Sequence, residues 1–243
     1  MKKRKAYRNI TFKDLLPNMV TSGNLICGML SMILVLHDQV VPAGWMIFAA
    51  VFFDFMDGKI ARRIGAGSRF GLEYDSLADV ISFGVAPAFL LYSVYLKGQF
   101  GVTGALVASF FVLCGALRLA RFNIVHVPGP FQGLPIPAAG LLVSSFVIGE
   151  IPLPFMVGSL LLIASGLLMI SSIPWGNLKG LKHADKKRVV LFYLICIGLI
   201  LTLHSRAVLA GMIIYLTSGF MRVDWSKFFS RTEEDQDYLE GKY

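Results

Sequence analysis

Four aspartates occur inside apolar segments of this chain, where charged side chains are otherwise scarce: Asp54, Asp57, Asp75 and Asp79. An ionised carboxylate deep in a bilayer costs about 2.5–3.5 kcal/mol even on the most lenient insertion scale. A single aspartate at a membrane edge is commonplace, but four in two neighbouring segments require a compensating partner. The set therefore indicates a functional site rather than incidental charge.

The spacing of these aspartates predicts where they point. Separations of three and four residues define one helical face, which comprises Asp54, Asp57, Gly58 and Ala61. A second stripe, at four-residue spacing, comprises Gly71, Asp75 and Asp79. The short, glycine-rich linker 63–70 predicts antiparallel helices, so the four carboxylates should converge near one membrane surface. Like charges so close cannot all remain ionised unaided. Divalent cations resolve the conflict, and oxygen ligands favour Mg²⁺ or a similar hard ion over zinc.

Small residues beside the carboxylates predict a groove for a ligand. Gly58, Ala61 and Gly71 leave space at which backbone can approach a ligand closely. Arg62 and Ser68 would stand at its mouth with donors suited to phosphate. A metal site held by carboxylates beside a phosphate-sized groove is suited to in-line displacement at phosphorus.

A family resemblance becomes specific in this region. Residues 54–79 read D-x-x-D-G-x-x-A-R-x₈-G-x-x-x-D-x-x-x-D, which resembles the complete signature of the CDP-alcohol phosphatidyltransferases. The resemblance implies that Asp54, Asp57 and Asp75 bind divalent cations, Mg²⁺ or Mn²⁺, two per active site. It implies that Asp79 completes the metal site and acts as the catalytic general base. Gly58, Ala61, Arg62 and Gly71 would then cradle the CDP moiety, and the enzyme would be a homodimer.

Further segments resemble one branch of that family, the phosphatidylserine synthases. Segment 17–24 is similar to the opening of their first span, whose polar residues face the nucleotide, which assigns Thr21 and Asn24 to the CDP-lipid. Hydrogen bonding between helices is the alternative role for these two side chains. Segments 75–88, 117–123 and 131–139 resemble the third, fourth and fifth spans. Val80 stands where phosphatidylglycerophosphate synthases tend to have lysine.

Arg118 and Arg121 are the candidate acceptor-binding residues. They present two guanidinium groups three residues apart at a helix end, an arrangement suited to a carboxylate or a phosphate. L-Serine is a zwitterion, so these arginines would bind its carboxylate while the aspartate cluster faces its ammonium group. The alternative is that both arginines only anchor the helix at the cytoplasmic membrane surface.

Long apolar segments must position these residues. Segments of membrane-crossing length cover 18–36, 42–63, 70–96, 101–121, 134–149, 153–173, 188–203 and 206–222. Residues 10–17 predict a short amphipathic helix on the membrane surface. We expect an all-α integral membrane protein, a polytopic bundle of about eight transmembrane helices. Its parts are a basic leader with the surface helix (1–17), a single membrane domain (18–222) and a cytoplasmic tail (223–243).

The charge distribution predicts the orientation of that bundle. The chain is 56% hydrophobic and 16% charged, and its net charge is +8. With a cytoplasmic N-terminus, twenty-one of the Lys and Arg residues fall on the cytoplasmic side and only Lys97 and Arg206 on the other. This asymmetry follows the positive-inside rule, so no nucleic-acid partner is needed to explain the charge. We expect a cell-membrane protein with both termini and the active site facing the cytoplasm.

The expected reaction is direct transfer from CDP-diacylglycerol, or an archaeal ether analogue, to the hydroxyl of L-serine. It would release CMP and make phosphatidylserine among the membrane lipids. One alternative is the same chemistry with glycerol 3-phosphate or inositol phosphate as acceptor. Another is a cation transporter that uses the carboxylates as its ion site, which should then lie near the bilayer midplane.

Overall fold

The computed structural model describes residues 12–64, 69–98, 100–124, 133–173 and 204–220, and each regular element in these ranges is helical. The α-helices are α1 (Phe12–Leu36), α2 (Val40–Ile64), α3 (Arg69–Asp79), α4 (Ala86–Leu91), α5 (Gly101–Ile124), α6 (Ile136–Ile148), α7 (Phe155–Ile170) and α8 (Ala207–Phe220). π-Helical segments Val80–Val85 and Tyr92–Leu96 follow α3 and α4, and a 3₁₀ turn, His204–Arg206, precedes α8.

Helices α1 and α2 form an antiparallel hairpin that packs together along its length. The turn between them is closed by the backbone N–H of Gln39, which donates to the Leu34 carbonyl at 2.9 Å. Asp38 adopts a positive φ of 60° in this turn, a conformation that Asp tolerates better than most residues. The hairpin places the start of α1 beside the end of α2, where Asp54 and Asp57 lie.

The third long helix, Phe70–Leu96, is continuous but not uniformly α-helical. Its two π-helical segments interrupt the α-helical winding, and the first begins at Val80, directly after Asp79. The second, Tyr92–Leu96, ends the helix. π-Helical turns are rare in proteins, and those that do occur are often found at functional sites.

Helix α6 lies at the centre of the described bundle. It packs against α2, α4, α7, α8 and the first π-helical segment, and most of its residues are buried. Gly140 allows the closest approach, because a Cβ there would lie 2.7 Å from the carbonyl oxygen of Phe83. Thirteen helical residues extend only about 20 Å, too short for the ~30 Å hydrocarbon core.

The described residues agree with the predicted bundle of apolar membrane helices, but they do not confirm the number of eight spans. Four described helices are long and apolar enough to cross a membrane: Leu15–Leu36, Val40–Ile64, Phe70–Leu96 and Gly101–Ile124. They match the first four predicted segments. Three shorter apolar helices, Ile136–Ile148, Phe155–Ile170 and Ala207–Gly219, correspond to the fifth, sixth and eighth. The seventh segment, 188–203, the start of the leader and the tail 223–243 lie outside the described residues.

The prediction of a separate amphipathic helix is wrong for residues 12–17. These residues belong to α1, which runs from Phe12 to Leu36 with Pro17 inside it. The sequence suggested a separate helix because residues 10–17 are amphipathic, whereas the apolar segment begins after Pro17. Pro17 is the sixth residue of α1, and the helix continues through it.

Candidate active site

Three of the four aspartates form a close cluster. One carboxylate oxygen from each of Asp54, Asp57 and Asp75 lies within 4.8 Å of the other two. Asp57 is buried, whereas Asp54 and Asp75 are half-buried. The α2 and α3 stripes predicted from three- and four-residue spacing thus face each other at the ends joined by the linker.

Helix α1 supports this cluster from a third side. The Thr21 hydroxyl lies 2.9 Å from Asp57 Oδ2 and 3.1 Å from the carbonyl oxygen of Pro17. A hydroxyl has a single proton to donate, and the charged carboxylate attracts it more strongly than the neutral carbonyl does. Thr21 is 3% exposed, so this contact is shielded from competing solvent.

Asp79 occupies a different environment from the clustered three. It is buried, and its Oδ1 accepts a hydrogen bond from Asn24 Nδ2 at 3.2 Å. Asn24 is fully buried, and its Oδ1 has no hydrogen-bond partner among the described residues. Thr21 and Asn24 therefore contact the carboxylates directly, and their contact with a CDP-lipid stays a prediction.

The arrangement fits a hard divalent cation. The donors are carboxylate oxygens, the ligands that Mg²⁺ and similar ions prefer. Asp75 Oδ1 is buried and has no hydrogen-bond partner among the described residues, so its lone pairs are left available to a cation. Three converging negative groups without such an ion would repel one another. Asp54, Asp57 and Asp75 are the side chains that would hold it.

Most of the predicted groove residues lie on the two helices that carry the aspartate cluster. Gly58, Ala61 and Gly71 are half-buried on the aspartate-bearing helices. Arg62 is exposed, and its guanidinium lies beside Gly58, where a Cβ would be 3.5 Å from Nη1. Arg62 also lies close enough to Asp57 to interact with it electrostatically. Ser68 lies outside the described residues.

The two predicted acceptor arginines lie in different surroundings. Arg118 is half-buried on α5 and close enough to Asp79 and to Tyr215 of α8 to interact electrostatically with both. Its Nε is buried and has no hydrogen-bond partner among the described residues. Arg121, one turn further, is exposed. Of the two predicted acceptor residues, Arg118 is the more buried, and it lies near Asp79.

Several residues of this region were missed at the sequence level. Ser82 donates to the Asn24 carbonyl oxygen at 3.0 Å, and the hydroxyls of Ser22 and Tyr74 lie 2.8 Å apart. The polar run at 21–24 was the available signal for Ser22. Tyr215 gave none, because only the packing of α8 brings it near Arg118.

The turn at Gly133 immediately precedes helix α6. Gly133 has a φ of 78°, and its N–H donates to the Ile173 carbonyl at 2.9 Å, after which α6 starts at Ile136. A Cβ at Gly133 would lie 2.3 Å from the Met169 carbonyl oxygen, so both backbone conformation and space require glycine.

Comparisons with known proteins agree with this geometry. The family model for CDP-alcohol phosphatidyltransferase matches residues 14–175. A CDP-diacylglycerol–serine O-phosphatidyltransferase of Helicobacter pylori (strain ATCC 700392 / 26695) is 36% identical over 217 residues, covering 86% of this chain and 90% of the relative. One of Methanocaldococcus jannaschii is 38% identical over 204 residues, covering 84% and 91%. The archaetidylserine synthase of Methanothermobacter thermautotrophicus is 40% identical over 181 residues, covering 72% and 75%.

Proposed function

The chain belongs to the CDP-alcohol phosphatidyltransferase family, and on that premise we propose that it transfers the phosphatidyl group of a CDP-activated lipid to the hydroxyl of L-serine. The cluster of Asp54, Asp57 and Asp75 supports the phosphoryl-transfer chemistry. The similarity to relatives named for serine supports this acceptor. The donor is CDP-diacylglycerol or an ether-linked analogue, since relatives named for both lipid types are similar to the chain.

The donor lipid would place its CDP group against the aspartate-bearing helices and its hydrocarbon chains in the bilayer. Gly58, Ala61 and Gly71 leave room for the nucleotide, and Thr21 and Asn24 line the α1 side. Arg62 is exposed at the end of α2, where its guanidinium can donate to a phosphate oxygen. Ser68 is proposed to contribute a second donor there.

The carboxylate cluster would hold two divalent cations, Mg²⁺ or Mn²⁺, through Asp54, Asp57, Asp75 and Asp79. Such ions neutralise the diphosphate and stabilise CMP as the leaving group. Neighbouring side chains fix the positions of the carboxylate oxygens. Thr21 does so for Asp57, to which its hydroxyl donates. Burial of Asp57 and Asp79, and partial burial of Asp54 and Asp75, also limits competition from water.

Asp79 is the proposed general base. It would accept the proton of the serine hydroxyl while that oxygen attacks the lipid-bearing phosphorus and the bond from phosphorus to the CMP oxygen breaks. Asn24 orients the carboxylate, and Arg118 approaches it from α5. The Nε of Arg118, which has no partner among the described residues, is suited to the serine carboxylate, and Arg121 is exposed one turn further along α5.

Membership of the family and the four long apolar helices among the described residues indicate a multi-pass membrane protein. We propose that it resides in the cell membrane as a homodimer with its active site and both termini in the cytoplasm. The excess of basic residues at the predicted cytoplasmic side supports this orientation.

Acceptor competition tests the proposed reaction. Purified protein would receive CDP-diacylglycerol, Mg²⁺ and equal concentrations of labelled serine, glycerol 3-phosphate and inositol phosphate. We expect phosphatidylserine to predominate, because a doubly charged phosphate differs from the carboxylate that Arg118 would bind. A product that carries the second phosphate of glycerol 3-phosphate or inositol phosphate, if it formed in excess, would overturn the serine assignment and leave the family chemistry intact.

The role of Asp79 is tested by Asp79→Asn, which keeps the size of the side chain but cannot accept the proton. The transfer rate should fall by at least about 10²-fold, as general-base loss does elsewhere. Affinity for the CDP-lipid should change much less. If affinity and rate fell by the same factor, Asp79 would be a structural ligand and not the base.

A further inference from the structure

Asn24 is held to the third long helix at two points. Its side-chain Nδ2 donates to Asp79 Oδ1 at 3.2 Å, while its main-chain carbonyl oxygen accepts from Ser82 Oγ at 3.0 Å. Asn24 and Ser82 are both fully buried, and Asp79 is 7% exposed. Neither bond therefore competes with bulk solvent, and together they fix one residue of α1 against two residues of the helix that carries the carboxylate.

Gly28 allows the backbones to come this close. It lies one turn beyond Asn24 on α1, and a Cβ there would be 2.6 Å from Ser82 Oγ and 2.8 Å from Ser82 Cα. Any larger residue would push Ser82 away from α1. Glycine at 28 thus serves the approach of Ser82 to the Asn24 carbonyl.

The π-helical segment Val80–Val85 carries Ser82 and begins directly after Asp79. Its i→i+5 hydrogen bonding is seen where the N–H of Ala86 donates to the Ile81 carbonyl. Because this winding differs from that of an α-helix, it changes the direction of residue 82 relative to residue 79. In the resulting geometry both residues reach Asn24.

We propose that Ser82 is a positioning residue for the transfer reaction: by holding the main chain of Asn24, it fixes the amide that orients the Asp79 carboxylate. The inference depends on the proposed role of Asp79 as general base. A general base must lie within hydrogen-bonding distance of the proton that it removes. Small displacements of such a group cost large factors in rate even when substrates still bind.

Ser82→Ala tests the proposal, with Ser144→Ala as the matched control. Ser144 is also fully buried and also donates to a carbonyl, that of Gly140 at 2.8 Å, but within its own helix α6. We expect Ser82→Ala to lower kcat about tenfold with the KM values for both substrates little changed. Ser144→Ala should retain the wild-type kcat. Equal rate losses in the two variants would overturn the proposal.

Repeating Ser82→Ala in the Asp79→Asn background separates positioning from general damage. If Ser82 acts through Asp79, its removal has little further effect once the carboxylate is gone. A tenfold loss that persists in that background would overturn the proposal. Should Ser82→Ala not fold, Ser82→Cys keeps most of the volume with a weaker donor, and the same criteria apply.

A measurement without metal or substrate completes the test. Thermal unfolding of Asn24→Ala, Ser82→Ala and the double variant should be non-additive, whereas Asn24→Ala and Ser144→Ala should add. Asn24→Ala removes the side-chain amide but keeps the main-chain carbonyl that Ser82 contacts. Additive effects for the first pair would therefore contradict the coupling between the Ser82 contact and the Asn24 amide, on which the proposal rests. Absence of serine transfer by the wild type would instead refute the proposed function.

Discussion

At the scale of single residues, the four aspartates divide into two environments. Asp54, Asp57 and Asp75 point at one another, whereas Asp79 is held by Asn24. The buried Oδ1 of Asp75, which has no hydrogen-bond partner among the described residues, leaves its lone pairs available to a cation. The division agrees with separate proposed tasks, in which three carboxylates hold the metal and the fourth also moves a proton.

Asp75→Asn should weaken metal binding. An amide lacks the charge of the carboxylate, so we expect Mn²⁺ affinity to fall at least about tenfold and most turnover to be lost at limiting metal. The fold should survive, because removal of an intramembrane charge relieves an insertion cost. Glu73→Gln is the control, since Glu73 is an exposed carboxylate on the same helix. Unchanged Mn²⁺ affinity in Asp75→Asn would contradict the shared site.

Arg118→Ala should raise the KM for serine at least about tenfold, because a charged hydrogen bond to the bound carboxylate is lost. Affinity for the CDP-lipid should change little. Arg63→Ala, which removes an exposed arginine of α2, serves as the control in steady-state kinetics. Arg121→Ala should raise the same KM, which tests the proposed contact of Arg121 with the serine carboxylate. A serine KM unaffected by Arg118→Ala would leave that arginine a membrane anchor.

At the scale of elements, close helix packing depends on small residues facing backbone. Gly140 of α6 meets the carbonyl of Phe83 in the first π-helical segment, and Gly28 of α1 meets Ser82 in the same segment. Small residues let membrane helices approach closely where lipid supplies no hydrophobic driving force for packing. The π-helical segment is thus clamped from two sides.

Gly140→Ala should destabilise the protein. Its Cβ would lie 2.7 Å from the Phe83 carbonyl oxygen, and backbone atoms on both sides cannot move aside cheaply. Gly211→Ala is the control, because no atom of the other described helices lies within 4 Å of a Cβ there, and alanine favours a helix by about 1 kcal/mol relative to glycine. Thermal unfolding in detergent should show a Tm below that of the wild type for Gly140→Ala and no such decrease for Gly211→Ala. Equal Tm values for Gly140→Ala and Gly211→Ala would refute this packing.

At the scale of the whole molecule, large apolar side chains remain exposed along the outer faces of the long helices. Those on α1 and α2 include Leu30, Ile33, Leu36, Phe48 and Phe52. A water-soluble protein rarely leaves so much contiguous apolar surface uncovered. Lipid tails cover such faces in a multi-pass protein, which agrees with the apolar helices.

The proposed orientation can be tested by labelling single cysteines in a background without native cysteines. Asp38→Cys and Gly98→Cys lie in exposed turns at the ends of the long helices remote from the aspartates, and should react with an impermeant reagent in intact cells. Gly67→Cys, in the linker between α2 and α3, should react only after permeabilisation. Labelling of Gly67→Cys in intact cells would invert the topology.

The sequence by itself determined the helical class, the first four membrane-length segments and the four aspartates with their facing stripes. It could do so because helical periodicity and the cost of intramembrane charge are local properties of the chain. Only the tertiary structure decided that α6 is a short buried helix, since an apolar run reads alike whether lipid or protein covers it. Likewise, the approach of Ser82 to Asn24 depends on a π-helical segment and on packing between helices distant in sequence, and no local pattern carries that information.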